Sequence, residues 1–274
     1  MPYRHANYFV GFVLLVIIIG FWESYFMPIS DVPSAFHVHA FTAITWVLLL
    51  MVQIWAIHNR RRDLHKIGGM LSLFLFPFVI VGFMMIINVS AAGYVANESP
   101  LARFLGPSFG LSMMFAVLAY LTLFYQALKN RRNVRLHAGY MLATPLILFE
   151  SPFSRIILSD LPFLVFTESE FPQRILDAIV IAIGISIVFA LVLYLRDRKS
   201  GIPFLVAAIF LFAESVAMYV GTNIEWVRQG FEAYARIPTA LTLLVGFLLG
   251  ATISWLGWRS IGHRVVPTEA ALPR

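Results

Sequence analysis

Eight stretches of this chain are apolar over roughly the 20 residues that a helix needs to cross the hydrocarbon core of a bilayer. They run over 8–27, 36–58, 67–90, 107–129, 138–158, 174–195, 203–224 and 238–258. Inside lipid every backbone N–H and C=O must be satisfied within its own segment, so runs of this length predict α-helices. Composition agrees: 60% of the 274 residues are hydrophobic and 12% are charged, about half the roughly 25% of a soluble domain. The first run resembles a signal peptide in having Arg4 and His5 ahead of it, but Glu23 interrupts it. No small-x-small cleavage site follows before Pro28, so it is read as a true span. The expected fold is an all-α integral membrane bundle of eight transmembrane helices, forming a single domain over 1–274.

The basic residues set the expected orientation. Fifteen of the 20 Lys and Arg fall on one side, at Arg4, in the turns around 60–66, 129–135 and 196–199, and at Arg259, Arg264 and Arg274. The other side has four: Arg103, Arg174, Arg228 and Arg236. Basic loops stay in the cytoplasm, so both termini are expected there, in a bacterial inner membrane. The sequence pI near 9.8 is then a topology signal with some affinity for anionic lipid, not a sign of nucleic-acid binding. Tyr3, Tyr8, Trp55, Trp226, Trp255 and Trp258 lie near span ends, where amphipathic rings anchor. The absence of Cys removes thiolate nucleophiles and cysteine-ligated metals. No phosphate-binding glycine loop or nucleophile elbow occurs either.

Two of the basic turns read alike, Asn59 to Met70 and Asn130 to Met141. Each puts a His at the start of the following span, His65 and His137, with a hydroxyl seven residues on at Ser72 and Thr144. Seven residues are two helical turns, so His and hydroxyl share a face. Spans 2–5 are therefore read as a duplicated helical-hairpin core, with spans 1, 6, 7 and 8 around it.

The pattern His39…Gln53…Arg60…Leu64-His65-Lys66…Gly68, followed by Leu136-His137…Met141…Arg155, resembles a bacterial multi-pass membrane family, domain-of-unknown-function family 2306. The likeness covers about residues 36–158 and implies a helical membrane fold. In a looser way the same hairpins are similar to cytochrome b561-type four-helix membrane proteins, which hold haem between His pairs on facing helices. That resemblance implies His65 and His137 as cofactor ligands.

Charge at bilayer depth costs at least about 2.5–3.5 kcal/mol on insertion scales, so each buried charge needs a partner or a task. Glu23, Glu150, Asp177 and Glu214 lie in spans, with Arg155 and, at the outer end of span 2, His37 and His39. At 100° per residue, His39, Thr42, Trp46 and Gln53 form one stripe, and His137, Thr144, Ser151 and Arg155 form another. Both stripes are expected to face the interior. His37 and Glu150 point off them. Pro145 and Pro152 share a face of span 5 and should bend it, freeing carbonyls that need partners.

These residues outline a polar pocket open to the periplasm, lined by Glu23, His39, Trp46, Glu150, Arg155 and Glu214. Three uses compete: a structural set of buried pairs, a divalent transition-metal site of His39 or His37 with Glu23, Glu150 or Glu214, and a proton path through Glu214. At the functional level the leading expectation is a haem-associated or redox membrane protein using His65 and His137. A metal-dependent membrane hydrolase and a proton-coupled carrier or small-ligand receptor are the alternatives. His5, His58 and His263 are expected to be solvated, and the Met residues to pack. Gly246 and Gly250 make a small-xxx-small pair that would suit a homodimer through the last span.

Overall fold

A computed structural model describes residues 3–165 and 171–260. Of the described residues 87% are helical and none is in a strand. The long helices are α2 (Ser34–His58), α3 (Arg62–Ala96), α4 (Pro100–Lys129), α5 (Val134–Ser159), α6 (Phe171–Arg196), α7 (Ile202–Val220) and α9 (Thr239–Arg259); α1 (Ala6–Gly20) and α8 (Glu225–Ala235) are shorter. The seven long ones are long and apolar enough to cross a membrane. Positions His263, Arg264 and Arg274 lie outside the described residues.

The first run departs from the expected single span. α1 stops at Gly20, and one π-helical turn, Trp22–Phe26, carries the chain on. The break falls at a close crossing with α5: a Cβ on Gly20 would stand 2.1 Å from the Pro152 carbonyl oxygen. Glycine is required for that approach.

Helix ends follow local chemistry. Ser99 caps α4 by accepting from the Ala102 N–H at 3.0 Å, with Pro100 in the first turn. Asn133 caps α5 by accepting from the Leu136 N–H. The two basic turns share a device: Asn59 and Asn130 each donate a side-chain amide N–H back to the carbonyl four residues earlier, both at 2.8 Å. Their paths then differ, because Arg60 takes a left-handed φ of 58° that has no counterpart in the second turn.

All the Arg-rich ends meet at one end of the bundle. Tyr3 donates to the Arg135 carbonyl, Arg135 pairs with Asp197 at 3.5 Å, and Arg131 donates to the Ser260 carbonyl at 2.6 Å. α2 packs on α3, α3 on α4 and α4 on α5, with α2 and α5 touching to close the ring. The middle of this four-helix unit is aromatic. Phe76 and Phe124 stack at 4.1 Å, and Trp46 lies 5.6 Å and 5.4 Å from them. α1 lies along α5, α6 and α7 flank α5, α7 packs on α4, and α9 covers α3 and α4.

α8 was unforeseen, because its 11 residues are too short and too polar for the apolar-run criterion. It docks Val227 and Phe231 inward, and the Phe231 ring occupies the space where a Cβ on Gly110 would be. Tyr234 donates to Asn88, which donates to Thr242, tying α8 to α3 and α9. The glycine face of α9 is likewise used within the chain. A Cβ on Gly246 would meet Met84, one on Gly250 would meet the Pro77 backbone at 2.6 Å, and one on Gly257 would meet Leu128. That face is closed to a second copy, which removes the reason for expecting a homodimer through it.

Candidate functional site

A column of polar groups runs from the end opposite the basic turns down to the centre of the bundle. At its top, Arg155 on α5 donates to the carbonyl and the hydroxyl oxygens of Ser151 at 2.8 and 3.0 Å, and its guanidinium lies 4.5 Å over the Phe21 ring. One turn inward is Glu150, whose Oε2 is buried without a hydrogen-bond partner. On α7, Glu214 is 3% exposed and its Oε1 is also unpartnered. Glu214 is within electrostatic reach of Glu150 on one side and of the Tyr120 hydroxyl of α4 on the other. It stands about 18 Å along α7 from the basic end, at 1.5 Å per residue.

The floor of the column is Trp46, with no exposed surface, donating its indole N–H to the Thr144 hydroxyl at 2.9 Å. Thr144 donates in turn to the Met141 carbonyl. That is the carbonyl left without its helical partner by Pro145, so the threonine repairs the proline's damage and holds the tryptophan. Below lies the aromatic packing of Phe76 and Phe124, both fully buried.

The expected outer pocket is only partly assembled. Glu150 and Glu214 come together with Tyr120, a residue that sequence reasoning missed because a lone Tyr in an apolar span gives no periodic signal. Glu23 stands exposed in the π-helical turn, away from them. His37 is bonded to the Tyr25 hydroxyl at 3.0 Å. Asp177 accepts from Gln173 one turn before it on α6. His39 packs its ring 5.2 Å from that of Phe83, with Nδ1 buried and unpartnered close to Gly82. Trp46 belongs to the aromatic core and not to an open wall. Arg155 forms no ion pair with Glu150 at this site; it turns to Ser151 and the Phe21 face. Among the described residues no three His, Asp or Glu come close enough together to hold a metal ion. Of the four residues expected to hold a metal, His39, Glu23, Glu150 and Glu214, only Glu150 and Glu214 come together, so the expected four-residue metal site is not assembled.

At the basic end the structure brings His65 and His137 together, with ring centres 6.4 Å apart and planes 84° to each other. Gln53 spans from α2 to α3: its Oε1 meets His65 Nδ1 at 2.9 Å and its Nε2 donates to the His65 carbonyl. Gly68 makes this reach open, since a Cβ there would press on the Gln53 amide at 2.9 Å. His137 Nδ1 meets the Ala127 carbonyl at 2.8 Å. A carbonyl oxygen can only accept, so each Nδ1 carries the proton and each Nε2 keeps a lone pair.

His65 and His137 are the residues that the b561-type resemblance implies would hold a haem, and the buried residues Leu123, Phe124 and Leu128 lie on α4 beside Ala127, the partner of His137.

No known family model, curated protein or solved structure matches this chain.

Proposed function

We propose that this is an eight-span inner-membrane protein with both termini in the cytoplasm, and that its interior carboxyls, Glu214 and Glu150, bind and release protons entering from the outer side. The function is that of a proton-coupled carrier. One observation supports it above all: Glu214 is buried at mid-bundle, with an unpartnered oxygen, within electrostatic reach of Glu150, which also has an unpartnered buried oxygen, and of the Tyr120 hydroxyl. Buried polar groups are almost always hydrogen-bonded, and those that are not call for a role. In a bilayer, ionisable groups facing the bundle interior mark ion and proton paths.

Arg155, Glu150, Glu214, Tyr120 and Thr144 are each within electrostatic or hydrogen-bond reach of the next, and Trp46, Phe76 and Phe124 pack beneath Thr144. In this reading a proton enters from the outer side, and passage to the other side requires the aromatic floor to move, as alternating access would demand. No group of three potential metal ligands gathers among the described residues, which leaves a metal-dependent hydrolase without its centre.

The test is infrared difference spectroscopy of the detergent-purified protein over a pH series, paired with proton flux into dye-loaded liposomes. The difference between wild type and Glu214→Gln should contain a carboxyl C=O band that comes and goes with pH, and the variant should slow the flux. A pH series in which the two proteins give the same carboxyl bands would overturn the reading.

A further inference from the structure

We propose that His65 and His137 together bind one monovalent copper ion through their Nε2 atoms, at the basic end of the bundle. This site is separate from the carboxyl column and does not depend on it.

Three observations carry it. First, the separation: a metal bonded to two imidazole nitrogens at about 2.0–2.1 Å, with the nitrogens opposite each other, puts the ring centres roughly 6 Å apart. The observed 6.4 Å fits that arrangement. A tetrahedral angle would draw the centres in to about 5 Å at the same bond lengths, further from the observed 6.4 Å.

Second, the tautomer is already set. Metal-ligating histidines nearly always donate their other ring N–H to a carboxylate, carbonyl or water, which fixes ring orientation and strengthens the ligand. Here both Nδ1 atoms are committed, to Gln53 Oε1 and to the Ala127 carbonyl. The two rings come from different hairpins and are held by different helices, α2 and α4, yet end with the same nitrogen free.

Third, the surroundings select charge. Both residues keep some exposed surface at the end of the bundle, His65 being the more open, so an ion can enter from the aqueous side. Arg131 is within electrostatic reach of His137, although its guanidinium is engaged with the Leu128, Gly257 and Ser260 carbonyls. A nearby fixed cation penalises a divalent ion more than a monovalent one. Imidazole suits copper, and two neutral imidazoles give a site of total charge +1.

The experiment is equilibrium dialysis of the full-length purified protein against Cu+ kept reduced by ascorbate, with Zn2+ as comparator. X-ray absorption on the copper-loaded wild type accompanies it. Wild type should retain about one Cu+ per chain and little Zn2+. The absorption spectrum should report two nitrogen neighbours in a linear arrangement. His65→Ala and His137→Ala should each lose the ion, Gln53→Leu should weaken binding about 10–100-fold through loss of the ring's anchor, and His58→Ala should change nothing. No retention by wild type, or full retention by both His variants, would overturn the proposal. Should the His variants fail to fold, the wild-type absorption spectrum decides alone: copper with ligands other than two nitrogens refutes the site.

Discussion

Trp46 on α2 and Thr144 on α5 are joined by a 2.9 Å hydrogen bond across 98 residues of sequence, and neither side chain has exposed surface. This bond closes the four-helix ring where α2 and α5 otherwise barely meet. It also separates the polar column above from the aromatic packing below. A threonine almost three turns into α5 thus does three things: it satisfies the carbonyl freed by Pro145, it receives the indole, and it neighbours the Tyr120 hydroxyl.

Thr144→Val keeps the volume and removes the hydroxyl. It leaves the Trp46 N–H and the Met141 carbonyl buried without partners, each costing about 1–3 kcal/mol. The variant should unfold at a clearly lower temperature in detergent, whereas Thr144→Ser should restore most of the loss. An unchanged melting temperature for Thr144→Val would mean the bond contributes nothing.

Glu214→Leu should have the opposite effect on stability. An unpartnered buried carboxyl replaced by an apolar side chain of similar size removes a desolvation cost, and such exchanges are often neutral or stabilising by about 1–4 kcal/mol. The variant should melt at or above the wild-type temperature while losing the pH-dependent carboxyl band. A strongly destabilised Glu214→Leu would point instead to a structural carboxyl with a partner.

Two glycine substitutions should separate sharply. Gly20→Ala would place its methyl 2.1 Å from the Pro152 carbonyl oxygen and should cost about 1–3 kcal/mol by pushing α1 off α5. On α6, a Cβ at Gly184 meets nothing within 4 Å, so Gly184→Ala should be neutral or stabilise by up to about 1 kcal/mol through helix propensity. Parallel thermal melts of the two proteins read the contrast.

Asp197, in the turn between α6 and α7, is held below the usual carboxylate range. The backbone N–H of Ser200 is the main cause, with the Ser200 hydroxyl and the Arg135 guanidinium adding to it. A lowered folded value means that the ionised form is the one favoured by folding. Its contribution is present above the ordinary carboxylate pKa and is lost as pH falls through the lowered value. Asp197→Asn should therefore lower the melting temperature slightly at neutral pH and flatten the acid limb of a melting-temperature-against-pH curve, the two proteins converging at low pH. The same acid limb in both proteins would exclude the effect.

The helices were legible because bilayer-length apolar runs have few alternative structures. Seven of the eight expected spans correspond to helices long enough to cross, and the meeting of the basic turns at one end followed from alternating charge. The first run read differently because it breaks where Gly20 packs against Pro152, a contact between residues 132 positions apart that no local pattern records. α8 escaped because an amphipathic helix of 11 residues carries no bilayer-length signal. The inner His pair was visible as a repeated spacing, since each His begins a helix after a similar turn. The outer cluster was not, since Glu23, His37 and Asp177 each find a local place in the structure.

Periodicity and charge in the sequence determined which segments are helical, which ends lie together and which residues could not face lipid, because these are properties of one helix in a given solvent. Which of those polar residues meet was decided only by tertiary packing. Helix rotation and crossing are set by close contacts such as Gly20 on Pro152, Gly250 on Pro77 and Phe231 on Gly110. A rotation of a few tens of degrees at any of them would turn Glu214 away from Tyr120, and a one-dimensional pattern carries no term for it.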